Sequence, residues 1–149
     1  MRPIVTMIAL VLMTASTFSQ GQTGASPLEP YLWQKRLMII FAPSLGDHRL
    51  IDQRELNVHA IDGLQARDMV VFAVIGDDHV NPELNRAPAE GAAEIRRRFG
   101  IADDMFAVVL VGKDGTEKYR SARPVDLSFI FDIVDGMPMR RREMRERKT

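Results

Sequence analysis

Leu37-Met38-Ile39-Ile40-Phe41-Ala42, followed at once by Pro43-Ser44-Leu45-Gly46-Asp47-His48, is the stretch on which the fold turns. Six apolar residues in unbroken succession, halted by a proline and a loop, read as a strand buried on both faces of a sheet. Met69–Ile75 and Met105–Val111 have the same character. Thr116–Ser121 differs. It is short and polar and follows Gly112-Lys113-Asp114-Gly115, whose Asp-Gly pair favours the positive φ angles of a tight turn. The third run and Thr116–Ser121 are therefore expected to form an antiparallel hairpin with a solvated outer arm.

Helices fill the gaps. His48 to Ala66 carries Leu50, Ile51, Leu56, Val58, Ala60, Ile61 and Leu64 on a broad apolar arc at helical spacing. Glu90–Phe99 is a shorter helix stopped by Gly100. Asp126 is placed to N-cap Leu127–Asp135, which Gly136 and Pro138 close. Val80–Pro88, with two prolines and two asparagines, reads as a loop. The long crossover makes the first two strands parallel, with a right-handed connection. The order βαβ, then ββα, predicts a thioredoxin-like α/β domain, a mixed four-stranded sheet with helices on both faces.

In thioredoxin-like enzymes the reactive cysteine stands between the first strand and its helix, where the helix N-terminus stabilises a thiolate. The corresponding positions fall near Leu45–His48, and the chain has no cysteine at all. Thiol redox catalysis, disulfides and thiolate metal sites are thereby excluded. The approach to the third run, Ile101-Ala102-Asp103-Asp104-Met105, also lacks the proline that ordinarily precedes that strand. With 20 Lys+Arg against 20 Asp+Glu, the chain projects no global field toward a polyanion, and no nucleic-acid partner is expected.

Met1-Arg2, the apolar Ile4–Met13 and the small polar residues that follow read as an export signal. Its apolar segment is about half of the roughly 20 residues that span a bilayer as a helix. Thr17-Phe18-Ser19 places small residues before a cut ahead of Gln20, and Thr23-Gly24-Ala25 offers a later one. The signal is assigned to residues 1–19, with cleavage as late as residue 25 as the alternative and an uncleaved anchor as the competing reading. The mature protein is expected in the periplasm or outside the cell, with no stable membrane span. It comprises a domain at 27–143 and a basic tail at 144–149; Arg140–Lys148 holds six positive and two negative residues.

Four stretches together resemble a known family. They are Trp33-Gln34-Lys35-Arg36-Leu37, Phe41-Ala42-Pro43-Ser44, Gly112-Lys113-Asp114-Gly115, and Asp135-Gly136-Met137-Pro138-Met139-Arg140-Arg141-Arg142-Glu143. The chain resembles the peroxiredoxin-like P-DUDES domain of bacterial exported proteins, and also domains of vertebrate matrix-associated coiled-coil-domain and sushi-repeat proteins. The resemblance covers about Leu28 to Glu143. It implies a thioredoxin-like fold without the usual redox motif and an unestablished biochemical function.

Topology carries most of these motifs to one pole, opposite the lost redox centre. There Lys35, Arg36, Lys113, Arg140 and Arg141 are expected to cluster with Asp114 and Glu143 among them. One reading is a site for an anion or acidic partner, with Trp33 supplying apolar contact. The other is a structural clamp, in which Arg36 pairs with Asp114 or Glu143 and Arg140 caps the last helix. At the opposite pole, Gln53, Arg54 and Asn57 interrupt the apolar arc and require partners or a cavity. With Ser44, Asp47 and His48 they would line a small polar pocket, or a network supporting the loop. His59 with Asp52, Glu55 and Asp62, and likewise Asp77-Asp78-His79, read as solvated faces, so no metal and no other cofactor is expected. The chain as a whole reads as an exported, redox-inactive binding or scaffolding module of the cell envelope, whose partner is an envelope protein or a small anionic ligand. The alternative is a non-thiol enzyme working from the polar pocket.

Overall fold

The computed structural model describes residues 26–76, 79–81 and 91–148, with the side chains of 79–81 left aside. The signal expected at 1–19, its alternative cut as late as 25, Asp77 and Asp78 with the His79 side chain, and most of the expected loop to Pro88 therefore lie outside the described parts. Strands β1 (Arg36–Ala42), β2 (Met69–Ile75), β3 (His79–Asn81), β4 (Ala107–Val111) and β5 (Glu117–Ser121) form one sheet in the order β3-β2-β1-β4-β5. The four expected strands are all present, with β1 between its parallel neighbour β2 and its antiparallel neighbour β4. The short β3, at the start of the segment read as a loop, adds a fifth by pairing antiparallel with the outer edge of β2.

Both faces of the sheet are covered, which is why its central strands read as continuous apolar runs. Alternation divides each strand between two cores. Leu37, Ile39 and Phe41 pack with Val70, Phe72, Val74, Val109 and with Ile95 and Phe99 of α3 (Ala92–Phe99). Met38, Ile40 and Ala42 pack on the other face with Val71, Val108 and Leu110. There Leu50 of α1 (His48–Val58), Leu64 of α2 (Ile61–Ala66), and Ile130 and Val134 of α4 (Leu127–Gly136) close the layer. Full burial of each such side chain contributes about 1.5–3 kcal/mol.

Two helices depart from expectation. The helix read over 48–66 is broken at His59-Ala60, where Ala60 leaves helical geometry at φ −118° and ψ 15°. The break seats Leu64 on the sheet and brings Gly63 against Phe131 of α4, so close that a Cβ there would lie 2.4 Å from the ring. Second, Pro138 does not simply end the last helix. Met137 is extended (φ −69°, ψ 141°), and Pro138 opens a further helix, α5 (Pro138–Glu146). A proline suits the first helical position because its missing N–H has no partner there anyway. The boundary drawn at residue 143, between domain and tail, thus falls inside a helix. The other local signals act as read: Asp126 accepts from the Ser128 amide at 2.7 Å, and Gly100 ends α3 at φ +63°.

Candidate functional site

Parallel pairing sets which charges meet. Arg36 at the start of β1 is in register with Met69 at the start of β2, so Arg67 and Asp68 arrive beside it. β4 runs the other way and delivers Lys113 to the same end, here called the lower pole. α4 descends to Asp135, and the turn at Met137 then sends α5 across the pole. The Arg36 guanidinium, 1% exposed, donates in a fork to Glu143: Nη1 to Oε2 at 3.2 Å and Nη2 to Oε1 at 3.1 Å. Nη1 also donates to the Arg67 carbonyl at 2.9 Å. Lys113 Nζ lies 2.8 Å from Glu143 Oε1 and 3.0 Å from Asp68 Oδ2. Arg140, also buried, donates through Nε to Asp135 Oδ1 at 3.1 Å, while Arg67 grips the same carboxylate at 2.6 Å.

The network is therefore a ring of cations around three carboxylates. Burial on its own would raise the Glu143 carboxyl; hydrogen bonds and charge from Arg36 and Lys113 outweigh it and hold the group down at about 2. Asp135 is likewise lowered, against its burial, by Arg67 and Arg140. Two buried donors still lack a hydrogen-bond acceptor, Arg36 Nε and Arg140 Nη1. Arg140 Nη1 faces Glu143 Oε2 at 3.6 Å, an ion-pair distance too long for a hydrogen bond. Beside the ring, a hollow of about 320 Å³ is lined by Arg36, Gly112, Lys113, Asp114, Lys118 and Met137–Met139.

Of the residues singled out at this pole, Arg36, Lys113, Arg140 and Glu143 meet in one network. Lys35 stands at its margin, 4.0 Å from Asp68. Asp114 is not the partner of Arg36. It lines the hollow but turns to Lys118 at 2.7 Å and to the Thr116 amide, closing its own turn. Arg140 does not cap the last helix; it reaches the side chains of Asp135 and Glu143. Trp33 takes no part through its side chain, which is 66% exposed. Its backbone is held at φ +63°, strained for a bulky residue, by an amide hydrogen bond of 2.6 Å to the Lys113 carbonyl. Sequence reasoning missed Arg67, Asp68 and Asp135. The first two were signalled by parallel pairing, which puts the residues just before both strands side by side.

The upper-pole residues separate into two groups. Asp47 caps α1 through the Arg49 amide and clamps the Arg49 side chain at 2.6 Å, a bond that lowers its carboxyl. Ser44 and His48 are exposed. Gln53 is fully buried, and its amide is committed to the main chain: Nε2 donates to the Val125 carbonyl at 3.0 Å, and Oε1 accepts from the Val125 amide at 2.7 Å. Nε2 also donates to Asn57, while Arg54 is half-buried on the same helix. At the ends of β1 and β2 the feature that sequence reasoning missed is Arg96. Its guanidinium, 3% exposed, donates to the carbonyls of Ala42, Val74, Gly76 and Ala102. Arg96 rises from α3 into a rim of carbonyls, with the exposed Asp103 carboxylate 3.7 Å from Nε, and no sequence pattern marks it. His59, with Asp52, Glu55 and Asp62, is exposed, and among the described residues no group of three metal-ligating side chains is drawn together.

This architecture is that of the peroxiredoxin-like thioredoxin folds. It superposes on the Plasmodium yoelii thioredoxin peroxidase I with a TM-score of 0.55 and 13% identity, covering 77% of this chain and 79% of that one. The reduced 2-Cys peroxiredoxin of Plasmodium vivax matches with a TM-score of 0.55 at 12% identity, over 77% and 84% of the two chains. Such identities speak to fold alone. The chain belongs to the family described as a domain of unknown function, DUF4174, whose pattern matches residues 27–143. It is 29% identical over 133 residues to the coiled-coil domain-containing protein 80 of Danio rerio, covering 78% of this chain and 15% of that protein. It is 28% identical over 129 residues to the sushi repeat-containing protein SRPX of Rattus norvegicus, covering 83% of this chain and 27% of that protein. Among the described residues no helix is long and apolar enough to cross a membrane.

Proposed function

We propose that the protein is an exported, redox-inactive thioredoxin-like domain that serves as a binding or scaffolding module of the cell envelope, and that its contact surface is the lower pole. The observation that carries this reading is the hollow beside the ion network, with Met137–Met139 along one side and Arg36, Lys113 and Lys118 as its cations against the single carboxylate of Asp114. An apolar wall beside several positive groups suits a partner that presents an anionic group on an apolar foot. The leader-like sequence at 1–25 supports export, and a chain without cysteine has no thiol chemistry to perform. The competing reading, a non-thiol enzyme at the upper pole, gains no comparable support, because Gln53 is occupied by the Val125 main chain.

A thermal-shift panel of phosphates, dicarboxylates, sugars and acidic glycans on the purified protein tests this reading. The variants are Met139→Trp, which fills the hollow with an apolar ring and adds no charge four residues from Glu143, and His48→Ala at the other pole. The expected result is a saturable stabilisation that Met139→Trp abolishes and His48→Ala leaves intact. A shift lost only in His48→Ala moves the site to the upper pole. No shift from any compound sinks the small-anion form of the proposal.

A further inference from the structure

Three cations from three separate elements converge on the Glu143 carboxylate: Arg36 from β1, Lys113 from the turn after β4, and Arg140 from α5 itself. What holds α5 down is polar. Arg140 is the one buried residue of the helix, Met139 is 37% exposed, and beyond Glu143 the Arg147 guanidinium reaches the Ala66 carbonyl at 3.1 Å. A nine-residue helix is marginal when detached, and one bound by charge rather than apolar burial is open to competition.

We infer that Arg36 and Lys113 form an oxyanion-binding socket and that α5 is a latch, its Glu143 the resident ligand that an incoming phosphate-type anion displaces, Arg140 leaving with the helix. The choice of ligand follows from the donor left over. A carboxylate has two oxygens, and with Glu143 in place the buried Arg36 Nε, which stays behind on β1, has no acceptor. A tetrahedral oxyanion brings four oxygens to the same donors, and forked arginines suit it. Displacement frees α5 with its exposed Arg141 and Arg142 while the oxyanion takes over the charge of the buried Arg36. This inference rests on the lower pole being the contact surface, and it concerns the socket, whereas Met139→Trp probes the hollow. Failure of one does not entail failure of the other.

The chain contains a single tryptophan, Trp33, whose amide is bonded to the Lys113 carbonyl, so its fluorescence reports on this pole. Inorganic phosphate and glycerol phosphate are titrated separately into wild type, Glu143→Gln and Glu143→Gln/Lys113→Gln, with chloride matching the ionic strength. Removing the resident carboxylate is expected to tighten binding at least tenfold over wild type, and the second change to abolish the gain. Saturation by both probes assigns the free ion; saturation by glycerol phosphate alone assigns a phosphate ester. If Glu143→Gln folds and binds neither probe more tightly than wild type, the inference fails. Should that variant not fold, amide exchange in wild type decides: residues 138–146 must exchange faster in phosphate than in matched chloride, and equal rates overturn the latch.

Discussion

Arg96 at the upper pole and Arg36 at the lower pole are both almost wholly buried, yet their charges meet different acceptors. Arg96 is spread over four main-chain carbonyls at or just beyond the ends of strands and of α3, acceptors that stay in place as long as the fold does. Arg36 leans on a carboxylate carried by the last helix. The first arrangement is a bolt through the sheet. The second is a contact between parts that can separate, and its strength depends on a titratable group. At one pole this chain anchors Gln53 and Arg96 on main-chain groups, and at the other its cations and carboxylates meet side chain to side chain.

The comparison is broken most forcefully at the bolt. Arg96→Leu strips donors from the carbonyls of Ala42, Val74, Gly76 and Ala102 and is expected to cost about 4 kcal/mol in urea unfolding. A loss below about 1 kcal/mol would mean water replaces the guanidinium freely and the bolt is not one. Next comes Glu143→Ala, which leaves the Arg36 charge buried without its carboxylate and is expected to cost about 3 kcal/mol. The double variant Arg36→Met/Glu143→Leu should recover most of that, since an apolar pair of similar size removes both charges. Full additivity of the two losses would show that the pair is not coupled.

Gln53→Leu orphans the amide and carbonyl of Val125 and is expected to cost about 2 kcal/mol, with no effect on anion binding at the lower pole. Acid sharpens the contrast between poles. The folded Glu143 carboxyl is held at about 2, below its ordinary 4.5, so its stabilisation is complete above about pH 4.5 and is lost as pH falls toward about 2. Glu143→Gln should flatten that part of the stability profile, and an unchanged acid limb would assign the acid sensitivity to other carboxylates, Asp135 among them. The smallest effect is expected at the turn: Lys118→Ala breaks an exposed pair with Asp114 and should change stability by under about 0.5 kcal/mol.

How far each feature was legible follows from how local its cause is. The continuous runs at 37–42, 69–75 and 105–111, the Asp-Gly turn and the Asp126 cap are decided within a few residues, and the sheet assembles from them as read. The break at His59-Ala60 is hidden in the sequence because no glycine or proline stands at it; the close contact of Gly63 with Phe131 that accompanies it joins residues that sequence alone does not bring together. Pro138 was read as a stop, although the same residue is suited to the first turn of a new helix. Gln53 and Asn57 were rightly seen to need partners inside an apolar arc, but the partner of Gln53 is a main-chain group 72 residues away.

The amino-acid order by itself determined the fold class, the absence of thiol chemistry and the pole at which the charges gather, because buried strands, a missing residue type and chain direction are each properties of sequence. Only the tertiary structure decided which charges pair. Arg36 takes Glu143 and leaves Asp114 to Lys118, because the extended Met137 turns α5 back over the start of β1, while Asp114 is held within its own turn. Charges attract many partners in sequence space, and geometry at 3 Å selects among them.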